Sequence, residues 1–126
     1  MPRFVILEHD HPVLHWDLML ETGPLLRTWR LSAPPEPGVA TGALYLFLHR
    51  LYYLDYEGPV SGNRGHVSRW DAGTFELEVD DPGRLVISLH GKHAQGHATL
   101  TRLQGEEWSF VLTAGAGSSD FSVKER

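Results

Sequence analysis

Residues 8–21 read Glu8-His-Asp-His-Pro-Val-Leu-His-Trp-Asp-Leu-Met-Leu-Glu21. From Leu14 onward the pattern has a period of two, so an extended chain puts Leu14, Trp16, Leu18 and Leu20 on one face and His15, Asp17, Met19 and Glu21 on the other. The even face is wholly apolar and is expected against the main core. The odd face carries His, Asp and Met in succession, as a strand lining a cavity does. Pro12 marks a bend, which lets His9 return from a preceding strand toward His15.

The same alternation recurs along the chain, punctuated at short intervals by turn residues. Strands are predicted at 3–8, 14–21, 25–31, 43–49, 51–57, 66–70, 74–79, 84–90, 97–103 and 108–113. Between them Glu21-Thr-Gly-Pro24, Asp71-Ala-Gly73, Asp80-Asp-Pro-Gly83, His90-Gly-Lys-His93 and Gln104-Gly105 read as tight connections. The fold class is therefore all-β. About ten short strands in one domain point to a compact, closed or nearly closed β-barrel, because closure removes the exposed edges of an open sheet. The barrel is expected over residues 1–113. Residues 114–126, small and polar at first, are expected as a frayed tail on which Phe121 and Val123 offer a last short strand.

Composition narrows the chemistry. The chain has 126 residues, 11 Lys+Arg against 16 Asp+Glu for a net charge of −5, eight His and no Cys. That length suits one domain that folds without a staple. Without cysteine there is no disulfide framework, thiolate metal site or thiol catalysis. No apolar run reaches the roughly 20 residues of a membrane helix, and Met1-Pro-Arg-Phe-Val-Ile-Leu-Glu8 lacks the shape of a signal peptide. A cytoplasmic protein with no membrane partner is expected. The acidic balance argues against general coating of nucleic acid.

Three potential metal ligands fall within nine residues, with no Lys or Arg among them: His9, His15 and Asp17. On one strand face the His15-x-Asp17 pair stands about 6–7 Å apart at Cα, close enough to share a divalent ion. Two His and one carboxylate match the facial arrangement that leaves positions open on Fe or Mn. A second segment, Phe47-Leu-His-Arg-Leu-Tyr-Tyr-Leu-Asp-Tyr-Glu-Gly58, carries His49 and Tyr53 four apart among three tyrosines. Tyr52 and Tyr56 fit equally an aromatic wall and β-favoured packing.

At these segments the sequence resembles the 3′-phosphoesterase domain of bacterial DNA ligase D and its stand-alone relatives. That family reads approximately F-V-x-Q-x-H-x5-H-x-D-x-R-L-E, then G-x-L-x-S-W, H-x3-Y-x-D-F-E-G, V-x-x-W-D-x-G-T-x-E and L-x-G-x-x-L-x-G. This chain has Phe4-Val-Ile-Leu-Glu-His9, His15-Trp-Asp17, Leu20-Glu21, Leu26-Arg-Thr-Trp29, His49, Tyr53-Leu-Asp-Tyr-Glu-Gly58, Val67-Ser-Arg-Trp-Asp-Ala-Gly-Thr-Phe-Glu76 and Leu89-His-Gly-Lys-His-Ala-Gln-Gly96, in that order over about residues 4–112. The resemblance implies a small β-barrel that holds Mn²⁺ through His9, His15 and Asp17. It also implies removal of a terminal ribonucleotide from a primer 3′ end, then of the remaining 3′-phosphate, with His49 and Tyr53 on the scissile phosphate. His11 is the neighbour expected to ligate or shuttle protons, and Glu21 is expected to support a ligand from behind. The partners expected are a nucleic-acid 3′ end or a small phosphodiester, with separate polymerase and ligase repair proteins.

Several basic or polar family positions are changed. The Arg two residues after the ligating Asp is Met19, the Gln before the first His is Leu7, and two further basic positions fall at Ala33 and Thr41. Only eight residues precede His9, where the family has an N-terminal arm. Each lost charge-assisted contact removes about 1.5–3 kcal/mol of phosphate binding. Arg30, Arg50, Arg64 and Arg69 are the candidates to hold phosphate instead. Two alternatives stay open: a non-catalytic metal- or phosphate-binding descendant, and a cupin-like metalloenzyme or oxygenase using the same two-His-one-carboxylate set on Fe, whose usual motif is met only in part by His15-x-Asp17-x3-Glu21. His66, His90, His93 and His97 read as strand-end and turn residues, and Trp70-Asp-Ala-Gly-Thr as a structural turn.

Overall fold

The computed structural model describes residues 2–114, so the expected tail from residue 115, Phe121 and Val123 included, lies outside the described residues. Among the described residues nine strands run β1 Arg3–His9, β2 His15–Thr22, β3 Leu25–Leu31, β4 Thr41–Arg50, β5 Gly58–Pro59, β6 His66–Asp81, β7 Arg84–Gly91, β8 Gln95–Gln104 and β9 Glu107–Ala114. Eight of them form an antiparallel ring in the order β1-β2-β3-β4-β9-β8-β7-β6, closed by pairing of β6 with β1; β5 adds only a two-residue pairing to β6. The protein is an all-β closed barrel. No described helix is long and apolar enough to cross a membrane.

Closure follows from tight hairpins and strict alternation. Gly23 (φ 61°) and Gly105 (φ 52°) take the left-handed conformation that joins β2 to β3 and β8 to β9 within two residues. Inward-pointing Phe4, Ile6, Leu18, Leu20, Trp29 and Phe110 are at most 1 % exposed and fill a barrel whose bore at eight strands is just wide enough for side chains.

A second apolar cluster lies outside the wall. Val5 and Leu7 of β1, Met19 of β2, Leu26 of β3 and Val67 of β6 are covered by Leu54, with Leu51, Tyr53, Tyr56 and Val60 packed around it. The covering residues include a single 3₁₀ turn, Leu51–Leu54, where a strand over 51–57 was expected. Tyrosine-rich sequence favours extended chain, but Leu51 and Leu54, three apart, fall on one side of a 3₁₀ turn and seal the outer wall.

Three further expectations are corrected. β2 begins at His15, and Leu14, expected on the core face, is 51 % exposed. The predicted strands at 66–70 and 74–79 form one strand, β6. Asp71-Ala-Gly73 is not a turn; Asp71 is buried within β6 and its carboxylate accepts backbone N–H groups from Lys92, His93 and Ala94, shaping the β7–β8 turn instead.

Candidate metal and phosphate site

The β1–β2 hairpin pairs His9 with His15, and Asp17 follows two residues on along the same outer face. One ligand atom from each of these three residues lies within 4.8 Å of the others. His15 and Asp17 are buried, and His9 is partly so.

The orientation of both rings is fixed from behind. His15 donates Nδ1–H to the Val13 carbonyl at 2.8 Å and turns Nε2 to Asp17 Oδ2 at 3.2 Å. His9 donates Nε2–H to the Arg64 carbonyl at 2.8 Å and turns Nδ1 to Asp17 Oδ2, the oxygen that His15 also faces, at 3.7 Å. Two imidazole nitrogens whose partner N–H groups are already committed thus face one carboxylate oxygen. Their lone pairs and the anion repel one another unless a cation lies between them, and that cation is either a proton or a metal. This is the backing that metal-ligating histidines use to fix tautomer and direction.

The protonation pattern agrees. The Asp17 hydrogen bond, helped by the Arg64 carbonyl, raises the His9 pKa above its ordinary 6.5 against the opposing effect of burial. Burial alone would push the Asp17 carboxyl up, but its bonds to His15 and His9 outweigh burial and hold it below the usual carboxylate range. Without metal, the His9 proton stabilises the fold fully below pH 6.5, and that contribution is lost as pH rises through the raised folded value. A divalent ion competes for the same nitrogen, with the opposite sign. Calorimetry with Mn²⁺ at neutral pH in buffers of different ionisation enthalpy is expected to show proton release, with affinity weakening as pH falls through the His9 value. Buffer-independent heats would remove His9 from the ligand set.

Beside the cluster a pocket of about 240 Å³ is lined by His9, His11 and Asp17 on one side and Arg30, His49 and Tyr53 on the other. Arg30 gets there by register, since it is the direct cross-strand partner of Asp17. His49 gets there by a bulge. Tyr45 packs against the barrel core, so simple alternation would send residue 49 inward as well. The register of β4 against β3 shifts next to Phe47, whose φ is 67°, and both Leu46 and His49 then face the outer pocket. Such a backbone conformation is uncommon for a non-glycine residue.

Three buried polar atoms here have no hydrogen-bond partner among the described residues: Asp17 Oδ1, Arg30 Nε and His49 Nδ1. Burial pushes the His49 pKa down, and Arg30 pushes the same way against the pull of Asp17, so the ring is neutral at pH 7. Burial also pushes the Tyr53 phenol up, with Tyr52 adding to it, so it stays protonated. Both side chains therefore offer neutral donors to an anion.

Of the other candidates, Arg64 lines the pocket while its guanidinium holds Ser61 through Nε at 2.6 Å. Arg50 lies over the Tyr52 ring at 5.3 Å, and the Arg69 backbone N–H donates to Glu57; neither side chain lines the pocket. Met19 lines it as a neutral wall, whereas Thr41 is buried opposite Phe110. Glu21 stands at the far end of β2, where its carboxylate accepts the Arg3 backbone N–H at 2.8 Å. It bonds to none of His9, His15 and Asp17 among the described residues, so the support expected of it behind a ligand is not found. His90 and His97 lie elsewhere on the wall beside Glu76 and Glu78. Sequence reasoning passed over Asp10, which accepts the His66 N–H at 2.7 Å and ties the β1–β2 loop to the start of β6. Gly65 at φ 79° abuts Asp10 and His11 so closely that no side chain fits there, a contact only the folded chain reveals.

Residues 7–102 match the family described as the DNA Ligase D 3′-phosphoesterase domain. The chain belongs to that family. It is 33 % identical over 114 residues to the multifunctional non-homologous end joining DNA repair protein LigD of Mycobacterium tuberculosis, covering 83 % of this chain and 15 % of that protein. It is 31 % identical over 123 residues to the LigD of Pseudomonas aeruginosa, covering 87 % and 14 %. The chain thus matches about one seventh of the length of these multifunctional relatives.

Proposed function

We propose that this chain is a divalent-metal phosphoesterase of the cytoplasm, using Mn²⁺, that processes nucleic-acid 3′ ends. The observation that carries this reading is the set of unpartnered buried atoms around one pocket: an acceptor on Asp17 beside His9 and His15, and polar nitrogens on Arg30 and His49 a few ångströms away. A cation site next to an anion site is what a phosphoester on a metal requires. The donor set, two imidazoles and a carboxylate without thiolate, fits Mn²⁺. The DNA-end-joining names of the relatives supply the substrate class.

When bound, the metal would neutralise phosphate charge and orient an oxygen nucleophile. The protein's own groups do the rest. Arg30 is the guanidinium that grips a nonbridging phosphate oxygen, in place of the family arginine that is Met19 here. His49 and Tyr53, neutral, donate hydrogen bonds to the phosphate as its charge redistributes. Water forms the new P–O bond, and the departing nucleoside or 3′ oxygen leaves with a proton. A separate polymerase and ligase are the partners for which such an end would be prepared.

A primer ending in a ribonucleotide or a 3′-phosphate, incubated with Mn²⁺, is expected to yield a shortened end or inorganic phosphate. Arg30→Ala should lower kcat/KM about 10- to 150-fold, the equivalent of losing one charge-assisted contact, while Mn²⁺ binding persists. Bound metal without any product would overturn the enzyme in favour of a binding descendant.

A further inference from the structure

A second cavity of about 540 Å³ opens beside the site: Arg30 belongs to the walls of both, and His15 of the metal cluster lines the second. Its other walls include Leu14, Leu44, Leu103 and Trp108. Val13, Leu14, Leu44 and Leu103 are four of the nine strongly exposed large hydrophobic residues among those described, gathered around one opening. Apolar surface concentrated in that way marks a binding site rather than scattered exposure.

The strand register orders its chemistry. Asp17 pairs with Arg30, Arg30 with Leu44, and Leu44 with Glu107, one row across four strands. At roughly 5 Å per strand, Leu44 stands about 10 Å and Glu107 about 14 Å from Asp17. Moving away from the metal cluster, the row presents a cation, then an apolar floor, then a carboxylate. Gln104 holds one oxygen of that carboxylate at 3.2 Å. A nucleotide presents the complementary order: a phosphate, a flat apolar body, and an edge with N–H donors. A second phosphate in the cavity would instead meet Glu107.

We propose that this cavity binds the base of the 3′-terminal nucleotide and that Glu107 accepts a hydrogen bond from its edge, favouring bases with an exocyclic amine there. The inference rests on the 3′-end-processing reading and adds the group that the enzyme recognises beyond the phosphate.

Gly42 permits a direct test. It lines the cavity, its φ is unexceptional, and a Cβ there would meet only Ser32 Oγ at 3.6 Å, an ordinary contact. Gly42→Leu therefore puts a side chain into the cavity, and because His15 also lines it, the Mn²⁺-dependent shift in melting temperature is measured alongside and should keep its wild-type size; Leu103→Ser, at an exposed position, thins the wall. Wild-type protein is expected to bind cytidine 3′-monophosphate roughly tenfold or more tighter than ribose 3-phosphate, and to turn over base-bearing ends in preference to abasic ones. Gly42→Leu should lower kcat/KM on base-bearing ends roughly 10- to 100-fold and leave abasic ends unchanged. Glu107→Gln should narrow the preference for cytidine over uridine. Equal binding of nucleotide and ribose phosphate, or equal loss on both ends in Gly42→Leu, would overturn the inference. Preferential nucleotide binding without turnover would uphold the pocket and overturn the phosphoesterase reading.

Discussion

His15→Ala is expected to abolish the rise in melting temperature that Mn²⁺ gives the wild-type protein, and with it all metal-dependent turnover. His15 is 2 % exposed, its Nδ1 is committed to the Val13 carbonyl, and its Nε2 faces Asp17. Removing it deletes one of the three proposed ligands and leaves the carboxylate without its nearer partner. A ligand at a hundred times its dissociation constant stabilises a fold by about 2.7 kcal/mol, of order 10 °C for a chain of this size. The variant also loses packing, so the decisive quantity is the difference between scans with and without metal. Glu21→Ala is the control: its partner is the Arg3 backbone at the other end of β2, and its metal shift should match the wild type. A shift that survives in His15→Ala would sink the ligand assignment.

The contrast between His15 and Glu21 shows what a sequence can carry. Period-two alternation specifies that His15, Asp17 and Glu21 share a face, and on that ground all three look equivalent. Position along the strand decides among them, because the hairpin register puts His9 opposite His15, while the Glu21 carboxylate at the other end takes the Arg3 backbone N–H. The barrel was legible for the same reason as the shared face: alternation and glycine turns are local. Arg30 was one arginine among four because its place beside Asp17 depends on the β2–β3 register. The direction of His49 depends on a bulge at Phe47 that no turn residue announces. The 3₁₀ turn at Leu51–Leu54 was hidden by tyrosines that favour strands, and its reason, an apolar outer wall in need of cover, exists only once the barrel has formed.

Asp71→Ala is expected to destabilise the fold by about 3–5 kcal/mol without changing the metal response. Asp71 is 3 % exposed, and its carboxylate gathers the backbone N–H groups of Lys92 at 2.8 Å, His93 at 3.0 Å and Ala94 at 2.6 Å, with Ala72 at 2.9 Å. It is a side-chain clamp holding the β7–β8 turn to β6. Hydrogen bonds to a charged acceptor contribute about 1.5–3 kcal/mol each, and a buried donor left without a partner costs about 1–3 kcal/mol; water entering the gap offsets part of the sum. Asp71→Asn should fall between, since one oxygen still accepts while the new NH₂ group faces donors. Gly91 sets the same constraint from the other side: a Cβ there collides with the Asp71 carboxylate and the Phe4 ring, so Gly91→Ala should destabilise in the same direction. Denaturant unfolding measures each loss, and the Mn²⁺-dependent shift in melting temperature should keep its wild-type size, because Asp71 bonds to none of His9, His15 and Asp17. A change below about 1 kcal/mol would mean that water satisfies the turn as well as the carboxylate does. A clamp of this kind gives an acidic residue in a family motif a purely architectural reason to be there, and the paired measurement separates that reason from a place at the metal.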